Sequence, residues 1–252
     1  MIPLKSPREI DKMRRSGALA AGIMETLVGM VGEGVTTAEL DAEAERLMKE
    51  GGAASASRGY HGYPAHICTS VNEEIVHGIP GPRELKSGDI VSIDVCLELD
   101  GFFADLAKTM HVGEVDGEKK QLIAAAKESL EAGIEQARLG NRLFDISHAI
   151  EETARRNGFS VVRRFTGHGI GRRMHEEPQI PNYGKPHTGP KILRGMTFAI
   201  EAMLNAGTHR AIILDDDWTA VTADDRPSAH FEHTVAVTAE GLEILTCPRN
   251  SQ

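Results

Sequence analysis

The clearest hydrophobic pattern in the chain is a strict alternation between Val91 and Leu99. Hydrophobic side chains occupy every second position of this segment, and polar or small side chains mostly occupy the positions between them. A period of two predicts a β-strand with one buried face. Asp100-Gly101 follows, a dipeptide typical of two-residue hairpin turns, so we expect a return strand that begins at Phe102.

The predicted hairpin places two carboxylates close together. With a two-residue turn, Asp94 faces Ala107, and Asp105 lies two residues away on the same face. The Cβ atoms of such diagonal neighbours are about 7 Å apart or slightly less. Two carboxylates at this distance raise each other's pKa unless a cation lies between them. The pair is either two acids on a solvated sheet face or part of a metal site, and the hairpin alone does not decide.

The hydrophobic pattern also predicts four helices in two pairs. Ser6-Pro7 and Thr36 are helix-start signals, each with a glutamate three residues after the cap. Glycines end these helices, at Gly32 and at Gly51-Gly52. The second pair is expected at about 117–140 and 144–157.

The two helix pairs are followed by acidic strand positions at nearly equal spacing. Asp94 lies 60 residues after Gly34, and Glu201 lies 61 residues after Gly140. A helix–helix–strand unit used twice would bring one acid from each half to a shared centre. We therefore predict an α+β fold in one domain, residues 1–252. It would be pseudo-twofold, with helices outside a mostly antiparallel sheet.

The composition restricts the class of partner. Of the 252 residues, 40% are hydrophobic and 26% are charged, as in ordinary globular proteins, and the net charge is −9. This charge argues against nucleic acid or a membrane as the main partner. The three cysteines are scattered, which favours a reducing compartment. With no signal-peptide pattern and no long apolar run, the expected location is the cytoplasm.

Several polar residues stand out because they lie in apolar or glycine-rich surroundings. They are Asp94, Asp105, His168, Glu201 and Glu232. Four carboxylates and an imidazole suit a pair of divalent cations, a known device for hydrolysis. Each glutamate taken singly is more typical of a solvated strand position. His77 and His175 lie in glycine- or proline-containing loops and are candidates to donate hydrogen bonds to a scissile amide and its oxyanion.

Five segments carry a resemblance to a known family. They are GYHGYPAHICTSVNEEIVHGIP, SIDVCLELDGFFAD, GHGIGRRMHEEP, FAIEAMLNAG and FEHTVAVT. Through them the chain resembles, over nearly its whole length, the type I methionine aminopeptidases of the pita-bread metallopeptidase fold. The resemblance implies a hydrolase that removes the N-terminal methionine from nascent proteins and peptides and prefers a small second residue. It also implies a monomer, with a transient ribosome contact left open.

The resemblance further implies a role for each site residue. Asp105 and Glu232 would bridge two divalent cations (cobalt, manganese, iron, zinc or nickel). Asp94 would bind one cation, and His168 with Glu201 the other. A metal-bridging hydroxide would attack the methionyl carbonyl, and Glu201 would carry the proton to the leaving amine. His77 and His175 would orient and polarise the peptide bond.

Four further residues are expected to line the methionine pocket, with plain core packing as the alternative for each. They are Tyr60, Tyr63, Cys68 and Trp218. Three departures from the family pattern lie near the site: Met174 where phenylalanine is frequent, Ala202 in place of a proline, and Leu106-Ala107 in place of small hydroxyl residues. None removes a ligand, but they leave efficiency and side-chain preference open.

Other members of the same fold are the main alternatives. Prolidases and proline-specific aminopeptidases share the five-ligand pattern but usually carry a further N-terminal domain, whereas the first helix here starts at Ser6. Type II methionine aminopeptidases usually have an insertion, and only 26 positions separate His175 from Glu201. A divergent paralogue with altered specificity and a non-catalytic peptide-binding module are the remaining alternatives. Binding modules of this fold typically lose metal ligands.

Overall fold

A ten-stranded sheet runs through the protein. The structure is a computed structural model that describes residues 1–247. The last five positions of the expected domain 1–252 lie outside the described residues. The strands are β1 (Ala54–Ser55), β2 (Cys68–Val71), β3 (Glu74–Val76), β4 (Ile90–Leu99), β5 (Phe102–His111), β6 (Ser160–Val161), β7 (Thr166–Gly169), β8 (Glu176–Pro181), β9 (Thr197–Asn205), β10 (Ala211–Ile213), β11 (Ala220–Thr222), β12 (Ser228–Val237) and β13 (Leu242–Ile244). The main sheet has the order β1-β4-β5-β12-β9-β7-β8, with β2 paired to β4, β6 to β9 and β13 to β12, and β10-β11-β3 form a separate smaller sheet.

The four helices match the predicted starts. They are α1 (Pro7–Met30), α2 (Thr37–Glu50), α3 (Gly117–Gln136) and α4 (Leu143–Arg156). Both predicted capping boxes are confirmed: the amides of Ser6 and Thr36 donate to Glu9 and Glu39 at 2.8 Å and 2.7 Å. The expectation that α3 continues to Gly140 is wrong, because the helix ends at Gln136, whose carbonyl accepts a hydrogen bond from the side-chain amide of Asn141 at 3.1 Å. Among residues 1–247, no helix is long and apolar enough to cross a membrane.

The hairpin has the predicted register. Leu99 pairs with Phe102 and Asp94 with Ala107, across a turn in which Asp100 and Gly101 both have positive φ. The expectation of one solvated face is wrong for most of β4, because Ser92 and Cys96 are also buried. That face forms the wall of an internal cavity.

The pseudo-twofold repeat is visible in the backbone. An isolated bridge joins Thr36 to Glu84 in the first half and Arg142 to Lys191 in the second half. Shortly after the second residue of each bridge, a glycine with positive φ leads into a long strand, β4 in one half and β9 in the other. One hydrophobic cluster joins α1 and α2 to β4, and another joins α3 and α4 to β9 and β12. The helices therefore cover one face of the sheet and leave the other for the cavity.

Candidate functional site

One row of paired positions crosses the four central strands. Asp94 on β4 pairs with Ala107 on β5, Ala107 with Glu232 on β12, and Glu232 with Glu201 on β9. Asp105 lies two residues from Ala107 and therefore projects from the same face. The register of four strands thus places four carboxylates on one wall of the cavity.

His168 approaches this row from β7. One ligand atom each of Asp105, His168 and Glu232 lie within 4.8 Å of one another. The Nε2 atom of His168 is 3.9 Å from Asp105 Oδ2 and 4.0 Å from Glu201 Oε1. Its Nδ1–H donates to the Gly169 carbonyl at 3.0 Å. That hydrogen bond fixes the tautomer, so the Nε2 lone pair faces the carboxylates.

Two threonines hold the strands that carry the row. Thr234 Oγ1 on β12 donates to the Asp105 carbonyl and accepts from the Asp105 amide, both at 2.9 Å. Reciprocally, Thr109 Oγ1 on β5 donates to the His230 carbonyl and accepts from the His230 amide, both at 2.8 Å. These hydroxyls take the place of direct backbone pairing on either side of Ala107 and Glu232. They fix the backbone beneath the carboxylates.

The carboxylates are costly to bury without a cation. Burial, together with the neighbouring Asp105 charge, raises the pKa values of Asp94 and Glu232 well above their usual range. Burial is also the main cause that raises the pKa of Asp105 to about 6 and that of Glu201 to about 8.

Three buried polar atoms at the row have no hydrogen-bond partner among the described residues. They are Asp105 Oδ1, Glu232 Oε1 and His230 Nε2. Buried polar groups are normally paired, so orphaned oxygens beside a histidine lone pair fit a divalent cation.

All eleven predicted site residues line a single cavity of about 580 Å³. Tyr63, Cys68 and Trp218 form one apolar wall, with the Tyr63 and Trp218 rings in edge contact at 5.1 Å. The Tyr63 hydroxyl donates to the Gly78 carbonyl at 2.9 Å, which fixes the ring. Tyr60 lies apart from this wall and is partly exposed.

The two loop histidines line the cavity in different surroundings. His77 has φ +61° and packs edge-on against Phe165 and Trp218. Left-handed backbone is uncommon for a histidine and is often found at functional sites. His175 packs against His168, with ring centroids 4.3 Å apart. Burial lowers the pKa of both, that of His77 to about 4, so both are neutral near pH 7.

His230 and Phe165 are among the cavity residues that sequence reasoning missed. His230 lies two positions before Glu232 on β12, and its Nε2 is 3.6 Å from Glu232 Oε2. Its period-two spacing from Glu232 was the available signal. Phe165 packs against His77, and nothing in its local sequence distinguishes it from a core residue.

The departures from the family pattern lie in different places. Met174 lines the cavity. Leu106 and Ala202 are buried in the hydrophobic clusters on the helix side of the sheet, so they face away from the carboxylates. Ala107 occupies the row between Asp94 and Glu232, where its methyl group leaves space between them.

Comparisons with known proteins agree with this geometry. Residues 11–239 match metallopeptidase family M24. A methionine aminopeptidase of Clostridium perfringens is 50% identical over 98% of this chain and 99% of its own length. The crystal structure of methionine aminopeptidase from Rickettsia prowazekii superposes with a TM-score of 0.96, at 42% identity, over 98% of this chain and all of that one.

A prolidase from Pyrococcus furiosus shares the fold alone. Its TM-score is 0.78 at 21% identity, and the match covers 96% of this chain but only 65% of that one. The much higher identity to methionine aminopeptidases, over nearly the full length of both chains, separates the two groups. The chain belongs to metallopeptidase family M24 and, within that family, to the methionine aminopeptidases.

Proposed function

We propose that this protein is a metal-dependent methionyl aminopeptidase that removes the N-terminal methionine from nascent proteins and peptides. The observation that carries the proposal is the row of four carboxylates beside the free Nε2 of His168. The only lysine or arginine side chains lining the cavity are two exposed arginines, so none is buried among these acids in residues 1–247.

Five residues would hold two divalent cations. Asp105 and Glu232 occupy the middle of the cluster and would contact both, Asp94 would contact one, and His168 with Glu201 the other. Two bound cations would supply Lewis-acid activation of a water and of the scissile carbonyl. The oxygen-rich donor set with one imidazole is compatible with manganese, iron, cobalt or zinc.

The remaining cavity residues would bind and orient the peptide. The wall of Tyr63, Cys68 and Trp218 offers a methionine side chain apolar, aromatic and sulfur contacts. Neutral His77 and His175 would donate hydrogen bonds to the peptide bond and to the oxyanion that develops from its carbonyl. The Glu201 carboxylate would accept a proton from the attacking water and donate it to the leaving amine.

The loops over the cavity favour a small second residue. Tyr60 Oη and His175 Nδ1 are 2.8 Å apart, so two segments from different parts of the chain meet at the cavity that contains the carboxylates. Their contact would narrow the space next to the cleaved bond. Hydrolysis should therefore be faster for Met-Gly than for Met-Leu peptides, and equal rates would contradict this part of the proposal.

Release of free methionine tests the function. The purified protein is treated with a chelator, refilled with manganese or cobalt, and incubated with a Met-Gly-Met peptide beside a proline-containing control. Metal-dependent methionine release from the first peptide alone is expected, and Asp105→Ala should abolish both metal binding and release. A protein that binds metal yet cleaves neither peptide would instead be a peptide-binding module.

A further inference from the structure

The mouth of the cavity carries two arginines that no acid of the described chain neutralises. Each belongs to an Arg-Arg dipeptide, at positions 163–164 and 172–173. In both dipeptides the second arginine, Arg164 or Arg173, lines the cavity and is exposed to solvent. Neither has a carboxylate within 4 Å among residues 1–247, whereas the first arginine of each dipeptide does.

The first arginines are held away from the cavity. Arg163 pairs with Glu151 at 3.7 Å, and its guanidinium lies 5.0 Å from the Tyr183 ring centre. Arg172 pairs with Glu9 at 2.7 Å and lies 5.4 Å from the Phe102 ring centre. In each dipeptide, therefore, the first guanidinium forms contacts within the fold and the second lies at the cavity mouth.

The rim of the cavity is consequently positive, although the protein has a net charge of −9. Besides the carboxylate row, the acids that line the cavity are Glu176 and Glu177. Glu176 is paired with Lys5. Glu177 is exposed and is the one remaining acid of the cavity lining. The cavity therefore has positive charge at its mouth and the carboxylate row inside. This arrangement favours a ligand whose positive end binds inside the cavity and whose negative groups bind at the mouth.

We propose that Arg164 and Arg173 bind acidic side chains of the peptide downstream of the cleaved bond. The proposal rests on the proposed function, which places the peptide's α-amine at the carboxylates and leaves the following residues to extend toward the mouth. A peptide is favoured over nucleic acid because the arginines line the cavity that would hold the methionine. A nucleic-acid duplex is too wide to enter a cavity of about 580 Å³.

Matched peptides test this subsite. Met-Gly peptides carry aspartate, asparagine or lysine at the third, fourth or fifth position, and kcat/KM is measured for each. We expect the aspartate peptide to be preferred over the lysine peptide at one or more of these positions, by about two- to fivefold per arginine, as for exposed ion pairs. The preference should shrink at about 1 M salt, where the Debye length is about 3 Å.

Four single substitutions and one double variant complete the design. Arg164→Gln and Arg173→Gln should each reduce the preference, and the double variant should bring the ratio close to one. Glu177→Gln should increase the preference, because it removes the opposing charge. Arg163→Gln is the matched control and should leave the ratio unchanged.

The outcomes separate this inference from the proposed function. Equal rates on acidic and basic peptides in the unmodified protein would overturn the inference while the function stands. If no peptide is cleaved, the proposed function fails, and the acidic preference is then measured as a ratio of Kd values with fluorescent peptides. A short single-stranded RNA is added as a competitor. Inhibition that disappears in the double variant would assign the arginines to nucleic acid and overturn the proposal.

Discussion

Glu201 and Glu232 lie directly opposite each other on the adjacent antiparallel strands β9 and β12. Like charges at opposed positions destabilise a sheet, and here both side chains are also largely withdrawn from water. The fold therefore contains a repulsion that a cation between the carboxylates would relieve. We therefore expect bound metal to stabilise the protein.

Glu232→Gln should have opposite effects on the two forms of the protein. Without metal, the variant should unfold at a higher temperature, because a neutral amide replaces a buried carboxyl that the folded protein must hold protonated at a cost in stability. With manganese, it should lose the rise in melting temperature that the unmodified protein shows, because a ligand is gone. Thermal unfolding with chelator and with excess manganese measures both effects.

A surface glutamate provides the control for that prediction. Glu240 is exposed, so Glu240→Gln should change neither melting temperature appreciably. Equal metal-induced stabilisation of Glu232→Gln and the unmodified protein would remove Glu232 from the metal site.

Tyr60 is expected to act through His175. The contact between Tyr60 Oη and His175 Nδ1 fixes the orientation of the imidazole. His175→Ala should lower kcat by about two to three orders of magnitude, the typical effect of losing an oxyanion donor. Tyr60→Phe should lower kcat by about three- to tenfold, which corresponds to one neutral hydrogen bond.

A double-mutant cycle distinguishes this positioning role from direct contact with substrate. In the His175→Ala background, Tyr60→Phe should have little further effect on kcat. Independent, multiplying effects of the two substitutions would show that Tyr60 does not work through His175. Steady-state kinetics on a Met-Gly peptide, with bound metal measured for each variant, provides the readout.

The sequence predicted the Asp94 and Asp105 part of the carboxylate row because that part depended on a local rule. The Asp100-Gly101 turn set the register of β4 and β5, and that register fixed Asp94 relative to Asp105. The pairing of Glu232 with Glu201 depends on how β12 inserts between β5 and β9, which no local pattern specifies. Periodicity could not predict that Glu201 and Glu232 meet, and this expectation came from the resemblance to a known family.

The features that sequence reasoning missed are long-range contacts. The Thr109 hydroxyl donates a hydrogen bond to the His230 carbonyl, and the Thr234 hydroxyl donates one to the Asp105 carbonyl. Each of these hydrogen bonds joins residues more than a hundred positions apart in the chain. The different surroundings of Arg163 and Arg164 likewise depend on where Glu151 and the cavity lie in the fold. Neither could be derived from the spacing of residues along the chain.

Lys5 ties the N-terminal segment to the loop that carries His175. Its ammonium group pairs with Glu176, and only 3% and 5% of the two side chains are exposed. Glu176 also accepts a hydrogen bond from the Arg172 amide at 2.8 Å. A Cβ on Gly171 would collide with the Lys5 side chain, so the backbone of this loop packs directly against Lys5.

Lys5→Met should therefore destabilise the protein by about 3–5 kcal/mol, because it leaves the Glu176 carboxylate buried without its partner. Chemical denaturation measures the change. Lys5→Met combined with Glu176→Gln should recover part of the loss, since the uncompensated charge is removed. A loss below about 1 kcal/mol, the typical value for an exposed pair, would show that the ion pair is not buried in solution.

The metal-free protein should lose stability as the pH rises from 6.5 to 8. In the folded chain, burial raises the pKa of Glu201 to about 8 and those of Asp94 and Glu232 well above their usual range. In this window the folded protein holds protons that the unfolded chain has released, so its free energy of unfolding decreases with pH.

The slope of this decrease is about 1.4 kcal/mol per pH unit for each carboxyl that stays protonated. Buried histidines such as His168, with a pKa lowered to about 4, oppose this trend only below about pH 6.5, where a histidine of the unfolded chain binds a proton. Urea denaturation in the presence of a chelator should show the decrease, and saturation with manganese should abolish it. A flat profile for the metal-free protein would mean that the four carboxylates are not held together in solution.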